Sequence, residues 1–380
     1  MFNEEQYQLA TYKKMPIAAD RGEDVWIYTS DGDKYLDLYG GHAVAGTGHC
    51  HPHVVKAVQE QAGKLLFYSN LVYSQARARA AEKLVSIAPN PLSKVFFCNS
   101  GTEANENAMR MARMSTRREK IITFSGGFHG RTADAISATF LGKYRALGKP
   151  NVPGHVEAEF GNINSVRELA DDTVAAIMLE PIQSMAGVRM AQPDFYRQLR
   201  ELCDERGIVL IYDEVQTGVG RTGDWFFAGS KAGANVVPDI VTLAKALGSG
   251  VPVGACLVTD AIASHIKEND LGTTFGGGMV AMAAVTATLE AIENDSMLAN
   301  VKRVEAYLRR RLEEVEQVKA VHGLGFLLGI EFKDKAAPVH QALLDQKIIT
   351  GTSSDARVLR LLPPLSLQEQ HVDLLVKSLG

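Results

Sequence analysis

Short, wholly apolar runs that alternate with helical patterns predict an α/β protein, with a mostly parallel central sheet, helices on both faces and a smaller α+β domain. Three observations carry this. Residues 208–212 are five apolar or aromatic residues without alternation, as in a strand buried on both faces. That run ends on Asp213 and Glu214, the run 175–179 ends on Glu180, and the run 238–244 ends on Lys245. Ionisable residues at several strand ends mark the edge where open α/β sheets keep their sites. Beyond about residue 295 the pattern changes to charged amphipathic helices separated by isolated strands.

A chain of 380 residues suits two domains. With no linker, repeat or low-complexity tract, the second must be woven in rather than appended, giving a large domain over 50–270 and a small one from 1–49 and 271–380. Hydrophobic residues at 46% and charged residues at 22% are ordinary for a soluble protein, and a formal charge of −4 argues against nucleic acid or an anionic membrane as partner. A small molecule is the expected partner. No apolar run reaches membrane-spanning length and the polar residues 1–8 are unlike a signal peptide, so the expected compartment is the cytoplasm. The four cysteines are far apart and suit neither a disulfide framework nor a zinc knuckle.

In chain order, Ser30-Asp-Gly-Asp between the strand-like runs 25–29 and 34–38 predicts a hairpin. A glycine-rich loop follows, carrying His49, His51 and His53. These suit capping and packing better than metal, because Pro52 opens a helix there and no distant ligands complete a set. Helices are expected over 52–65 and 74–87, the second capped by Ser74. A strand at 94–98 then enters Asn99-Ser-Gly-Thr-Glu-Ala-Asn-Glu and a helix. Backbone N–H groups there, with the Ser100 and Thr102 hydroxyls, make either an anion cradle or an ordinary N-cap.

After a strand at 121–124, Phe128 and His129 on a glycine-flanked turn can lie against a flat ligand. Arg131 is either a carboxylate clamp or a solvated surface residue. Residues 175–179, the helix 194–205 and the strands 208–212, 238–244 and 253–258 complete the sheet. Small residues at 272–279 open a helix over 280–293, where Thr273 or Thr274 offers a second phosphate contact. Helices over 298–316 and 339–346, strands over 326–332 and 357–362, and a final helix make the α+β part. Arg360 stands among apolar neighbours, and alternation does not decide whether it points in or out.

An acid and an amine delivered to one crevice by neighbouring strands suit pyridoxal phosphate. Lys245 would hold its aldehyde as a Schiff base and Asp213 would keep the ring nitrogen protonated. The same two residues are also what a buried ion pair would show. A nicotinamide dehydrogenase is disfavoured, since no Gly-x-Gly-x-x-Gly follows the first strand.

Together the segments beginning at Asn99, Phe128, Glu180, Asp213, Thr242 and Thr273 resemble the ordered motifs of class III aminotransferases, and within that class the acetylornithine and succinylornithine aminotransferases. The resemblance implies a fold type I dimer, with pyridoxal 5′-phosphate as cofactor and its sites at the subunit interface. It implies that Lys245 carries the cofactor and moves the proton, and that Asp213 pairs with the ring nitrogen. Phe128 and Val215 would cover the ring faces and Gln216 would approach the ring hydroxyl. Gly101 and Thr102 would hold the phosphate, with Thr274 reaching across from the second subunit.

By the same resemblance, Arg131 and Arg360 would bind substrate carboxylates. The implied reaction moves the terminal amine of an N2-acylornithine to 2-oxoglutarate in arginine biosynthesis. The alternative is another class III transaminase, acting on ornithine, 4-aminobutyrate or another ω-amine, or a related aminomutase. In many ω-aminotransferases of the class a glutamate that masks the second arginine stands where this chain has Met185, after Ser184. Its absence would leave Arg360 open and favour donors with a further carboxylate, a succinyl over an acetyl group. Two further departures, at Gly276-Gly-Gly-Met and at His322, translate into no chemistry.

Overall fold

A computed structural model of the chain describes residues 4–380; the first three residues of the polar start lie outside the described residues. Three strands come first: β1 (Ala19–Glu23), β2 (Trp26–Thr29) and β3 (Lys34–Asp37). The last two form the expected antiparallel hairpin. β1, which has almost no strand-favouring residues, pairs with β2 and has no buried residue.

The central sheet is assembled from β4 (Leu92–Cys98), β5 (Lys120–Phe124), β6 (His155–Ala158) and β7 (Val174–Leu179). After a two-stranded ribbon of β8 (Ile182–Gln183) and β9 (Arg189–Met190), it is completed by β10 (Val209–Asp213), β11 (Ile240–Leu243) and β12 (Gly254–Thr259). The strand order is β4-β12-β11-β10-β7-β5-β6. β12 runs antiparallel to both its neighbours, and every other pairing is parallel.

Every residue of β7, β10, β11 and β12 is buried, because both faces are covered. Val209 and Ile211 point to the face occupied by helix Gly101–Thr116, which contributes Ala104, Ala108 and Met109. Leu210 and Tyr212 point to the other, where helix Pro193–Arg206 contributes Phe195, Tyr196 and Leu199. The expected α/β class with a mostly parallel sheet is the class observed.

The remaining strands are β13 (Val318–Leu324), β14 (Leu327–Phe332), β15 (Ile348–Ile349), β16 (Gly351–Thr352) and β17 (Val358–Leu361). They form the sheet β13-β14-β17-β16, except that β15 pairs in parallel with β3 and so joins the two ends of the chain. Helix Met279–Asn294, apolar nearly all round, packs between helices Pro52–Lys64 and Gln75–Ser86 and the rest of the molecule. Among the described residues no helix is long and apolar enough to cross a membrane.

The three loop histidines diverge. His49 pairs with Asp37 at 2.7 Å, His51 with Asp295 at 2.9 Å and His53 with Glu290 at 2.8 Å. His51 occupies the N-cap position of its helix, but its side chain makes no cap bond. Among the described residues no group of three or more His, Cys, Asp or Glu is arranged to hold a metal. All four cysteines are unpaired.

Candidate active site

Asp213 leaves β10 with its carboxylate buried and pinned. Its Oδ2 accepts from Asn105 Nδ2 at 2.7 Å and pairs with His129 Nδ1 at 2.8 Å, while Oδ1 accepts from the Val215 N–H at 3.1 Å. Asn105 is itself held, donating to the His129 carbonyl at 2.7 Å and accepting from Thr242 at 2.6 Å. Donors replace the water that burial removes, so the carboxyl group is held in one orientation on the cavity wall.

This arrangement changes the part given to His129. Its imidazole is engaged edge-on with Asp213 instead of lying with Phe128 against a flat ligand, because the buried acid needs a donor. Phe128 lines the cavity. Its N–H is fixed by Glu180 at 2.7 Å and its ring packs edge-on against Tyr144 at 5.3 Å. Glu180 is buried beneath it, and loss of hydration pushes its carboxyl up despite the opposing pull of His129.

Lys245 follows β11 in a left-handed conformation at φ 47°, which an L-residue holds only when its surroundings impose it. Its side chain is half-buried, open toward the cavity, and makes no ion pair among the described residues; the ionic partner of Asp213 is His129. Burial lowers the ammonium to about 8, opposed by Asp213 and Glu180 and reinforced by Arg360 and Arg221. The amine is therefore available as a nucleophile near neutral pH.

The N-cap is present. Ser100 caps helix Gly101–Thr116, accepting from the Glu103 N–H at 3.2 Å. Thr132 donates to Glu106 at 2.5 Å, so the 2.6 Å bond between Thr132 and Thr102 is donated by Thr102. The Thr102 hydroxyl proton is thus committed, leaving the Gly101 and Thr102 N–H groups, which have no acceptor within the helix, to face an anion. Close approach depends on two glycines. A Cβ on Gly101 would meet the Val215 methyls at 3.0 Å, and one on Gly254 would meet the Ser100 carbonyl at 2.3 Å.

A cavity of about 380 Å³ brings together Ser100, Gly101, Thr102, Phe128, His129, Glu180, Asp213, Val215, Gln216 and Lys245. Among the described residues, buried Gln216 Oε1 has no partner, leaving it free to accept from a ligand hydroxyl. These features fit pyridoxal phosphate: a cradle for its phosphate, an acid for its ring nitrogen, an acceptor for its hydroxyl and an amine for its aldehyde. Met185, which stands where the masking glutamate is common, lines the cavity, and so do Asn105 and Val44, to which the sequence assigns no role. The readable hint for Asn105 was a carboxamide on the apolar face of a helix.

Three expected residues lie off the cavity wall. Arg360 points inward from β17 and is 3% exposed; it donates to the Thr352 carbonyl at 2.7 Å, Ser184 Oγ at 3.0 Å and the Tyr39 hydroxyl at 2.5 Å. Among the described residues no carboxylate pairs with it. Arg131 is exposed at the rim, its guanidinium 5.1 Å from the Tyr144 ring centroid and 5.8 Å from that of Tyr12. Thr274 is exposed and does not line the cavity, whereas Thr273 accepts from Asn99 Nδ2 at 3.0 Å.

The comparisons agree with this geometry. A family model described as Aminotransferase class-III matches residues 7–380. The acetylornithine aminotransferase of Methanopyrus kandleri is 42% identical over 371 residues, covering 97% of this chain and 95% of the relative. That of Archaeoglobus fulgidus is 40% identical over 370 residues, covering 97% and 96%. Among solved structures, an ornithine aminotransferase from Toxoplasma gondii, described with partial occupancy of PLP at its active site, superposes with a TM-score of 0.91 at 27% identity, covering 99% of this chain and 92% of that one. The acetylornithine aminotransferase of Elizabethkingia anophelis gives 0.86 at 28% identity, covering 99% and 96%.

Proposed function

Because this chain belongs to the class III aminotransferases, we propose that its cavity holds pyridoxal 5′-phosphate and serves to move the terminal amino group of an N2-acyl-L-ornithine to 2-oxoglutarate. The products are the N-acylglutamate 5-semialdehyde and glutamate, made in the cytoplasm as a step of arginine biosynthesis. The observation that carries the reading is the meeting of pinned Asp213 and the half-open Lys245 amine beside a helix start with free N–H groups. The donor follows from the curated relatives, named acetylornithine aminotransferases.

When bound, the cofactor supplies an electron sink for the carbon that loses its proton. The chain's own residues do the rest. Asp213 holds a proton on the ring nitrogen, and Asn105 and His129 keep that acid from turning. Gly101 and Thr102 N–H groups take the phosphate, while Phe128 and Val215 exclude water from the ring faces. The Lys245 Nζ would hold the cofactor at its aldehyde, and as a free amine would take the proton from the donor carbon and return it. Arg131 at the rim and the buried Arg360 take substrate carboxylates.

A second copy of the chain completes the site. Leu66, Leu71, Tyr73 and Phe275 form an exposed apolar face, tied together by the Asn70 to Gly276 hydrogen bond at 2.9 Å and by Phe67 against Phe275 at 5.0 Å. Thr274 stands on this face, from which it reaches the partner's cradle. The pairing of β15 with β3 supports a small domain of 1–49 and 271–380 beside a large one of 50–270.

The test is the visible absorption of the purified protein, with N2-acetylornithine, N2-succinylornithine, ornithine and 4-aminobutyrate added singly and no keto acid present. A band bleached fastest by an acylornithine, and lost in Lys245→Ala, is the expected result. Bleaching by ornithine or 4-aminobutyrate alone keeps the aminotransferase and removes the donor. A Lys245→Ala protein with full turnover removes the mechanism.

A further inference from the structure

Residues 40–43 form one turn of left-handed helix, with φ of 54° and 58° at Gly40 and Gly41 and 67° and 65° at His42 and Ala43. Two residues with side chains are held where L-residues are disfavoured. The turn is clamped from several sides. Asp37 Oδ1 accepts from the Tyr39 and Gly40 N–H groups at 2.9 and 2.8 Å, and the Gly40 carbonyl accepts from Val44 and Ala45 at 2.8 and 3.0 Å. A Cβ on Gly40 would lie 2.8 Å from the Leu362 carbonyl. Strain held this firmly at a cavity mouth calls for a reason, and the side chain it delivers supplies one.

His42 stands at the rim. Its ring packs edge-on against Tyr39, centroids 4.8 Å apart, and Tyr39 bears the hydroxyl that holds Arg360. Val44, two residues on, lines the cavity. Neither ring nitrogen of His42 has a hydrogen-bond partner among the described residues. Charged groups face it from four elements: Arg360 on β17, Lys245 after β11, Arg131 after β5, and Asp37 on β3. Burial and then the three cations hold its imidazole neutral, against the weaker pull of Asp37. A neutral imidazole has one donor and one acceptor to offer and no charge.

We propose that His42 is a donor-specificity residue, whose free imidazole hydrogen-bonds the uncharged acylamido group that distinguishes an N2-acylornithine from ornithine. This rests on the donor proposed above. Beside three cations suited to carboxylates, the imidazole is a neutral side chain with unused hydrogen-bonding capacity among the described residues. Its partner is the feature shared by acetyl and succinyl donors and absent from ornithine and glutamate.

Two variants separate recognition from backbone strain. His42→Gly removes the ring at a position where glycine adopts the left-handed conformation freely, and His42→Asn restores a neutral donor and acceptor on a residue tolerant of it. Half-reactions of the holoenzyme are followed spectroscopically with N2-acetylornithine, ornithine and glutamate. In His42→Gly, kcat/KM for N2-acetylornithine should fall by about ten-fold or more, with changes under about three-fold for the other two amines and recovery toward wild type in His42→Asn. Equal losses with all three amines, or no loss with the acylated donor, overturn the proposal. Wild-type protein that processes ornithine and ignores N2-acetylornithine overturns the donor reading instead, and this proposal with it.

Discussion

At Lys245, burial and neighbouring cations work against the ammonium, and the consequence is measurable without any substrate. Its ordinary value of 10.5 is lowered to about 8 in the folded chain. Between those values the unfolded chain binds the proton and the folded chain does not, so this group's contribution to stability rises as pH rises from about 8 to 10.5. In the cofactor-free protein, the stability of wild type relative to Lys245→Met should therefore increase over that window, read by urea unfolding at stepped pH; a flat difference would mean the amine is not depressed. Arg360 is a second cation held by burial, and its three partners are neutral oxygens rather than carboxylates. Arg360→Ala should lower kcat/KM for 2-oxoglutarate by about a hundred-fold, as loss of a charged hydrogen-bonded partner does, and should abolish any preference for succinyl over acetyl donors. Comparable succinyl and acetyl specificity constants in wild type would sink the second expectation.

Among elements, β12 fixes the cradle, since Gly254 lies against the Ser100 carbonyl and opposite Cys98 in register. Gly254→Ala should push β12 off β4 at a cost of about 1–3 kcal/mol, weakening cofactor binding in a fluorescence titration while Asp213 and its partners stay in place. Unchanged affinity would mean the loop absorbs the methyl. Elements that bury an uninterrupted apolar run were legible in the sequence, which is why β7, β10 and β11 and their terminal Glu180, Asp213 and Lys245 could be read directly. β1 and β13 were not, since the first buries nothing and the second is only half-covered along its length. β6 was missed too, being four residues with two polar side chains. Arg360 could not be oriented because all four residues of β17 are buried, leaving no alternation to read. The union of Asp213, His129 and Asn105 was equally hidden, for each lies on a different element and only the sheet order brings them together.

For the molecule as a whole, the exposed face around Tyr73 and Phe275 is where the proposed partner copy sits, and Thr274 links assembly to cofactor binding. Tyr73→Asp places a charge in that face. It should convert a dimer to monomer in sedimentation velocity and loosen the cofactor by about ten-fold or more; a dimer that persists with unchanged cofactor affinity would put the interface elsewhere. The pairing of β3 with β15 and of β4 with β12 has a further meaning for a chain that emerges from the ribosome in one direction. The hairpin at the start of the chain must wait, edge exposed, for Ile348–Ile349, and the strand that leads into the cradle must wait for Gly254–Thr259. Such long-range closures are slow and leave unpaired strand edges in the nascent chain. The strand that leads into the cradle therefore stays unpaired on that edge until Gly254–Thr259 has been made, and chaperone protection is needed most in that interval.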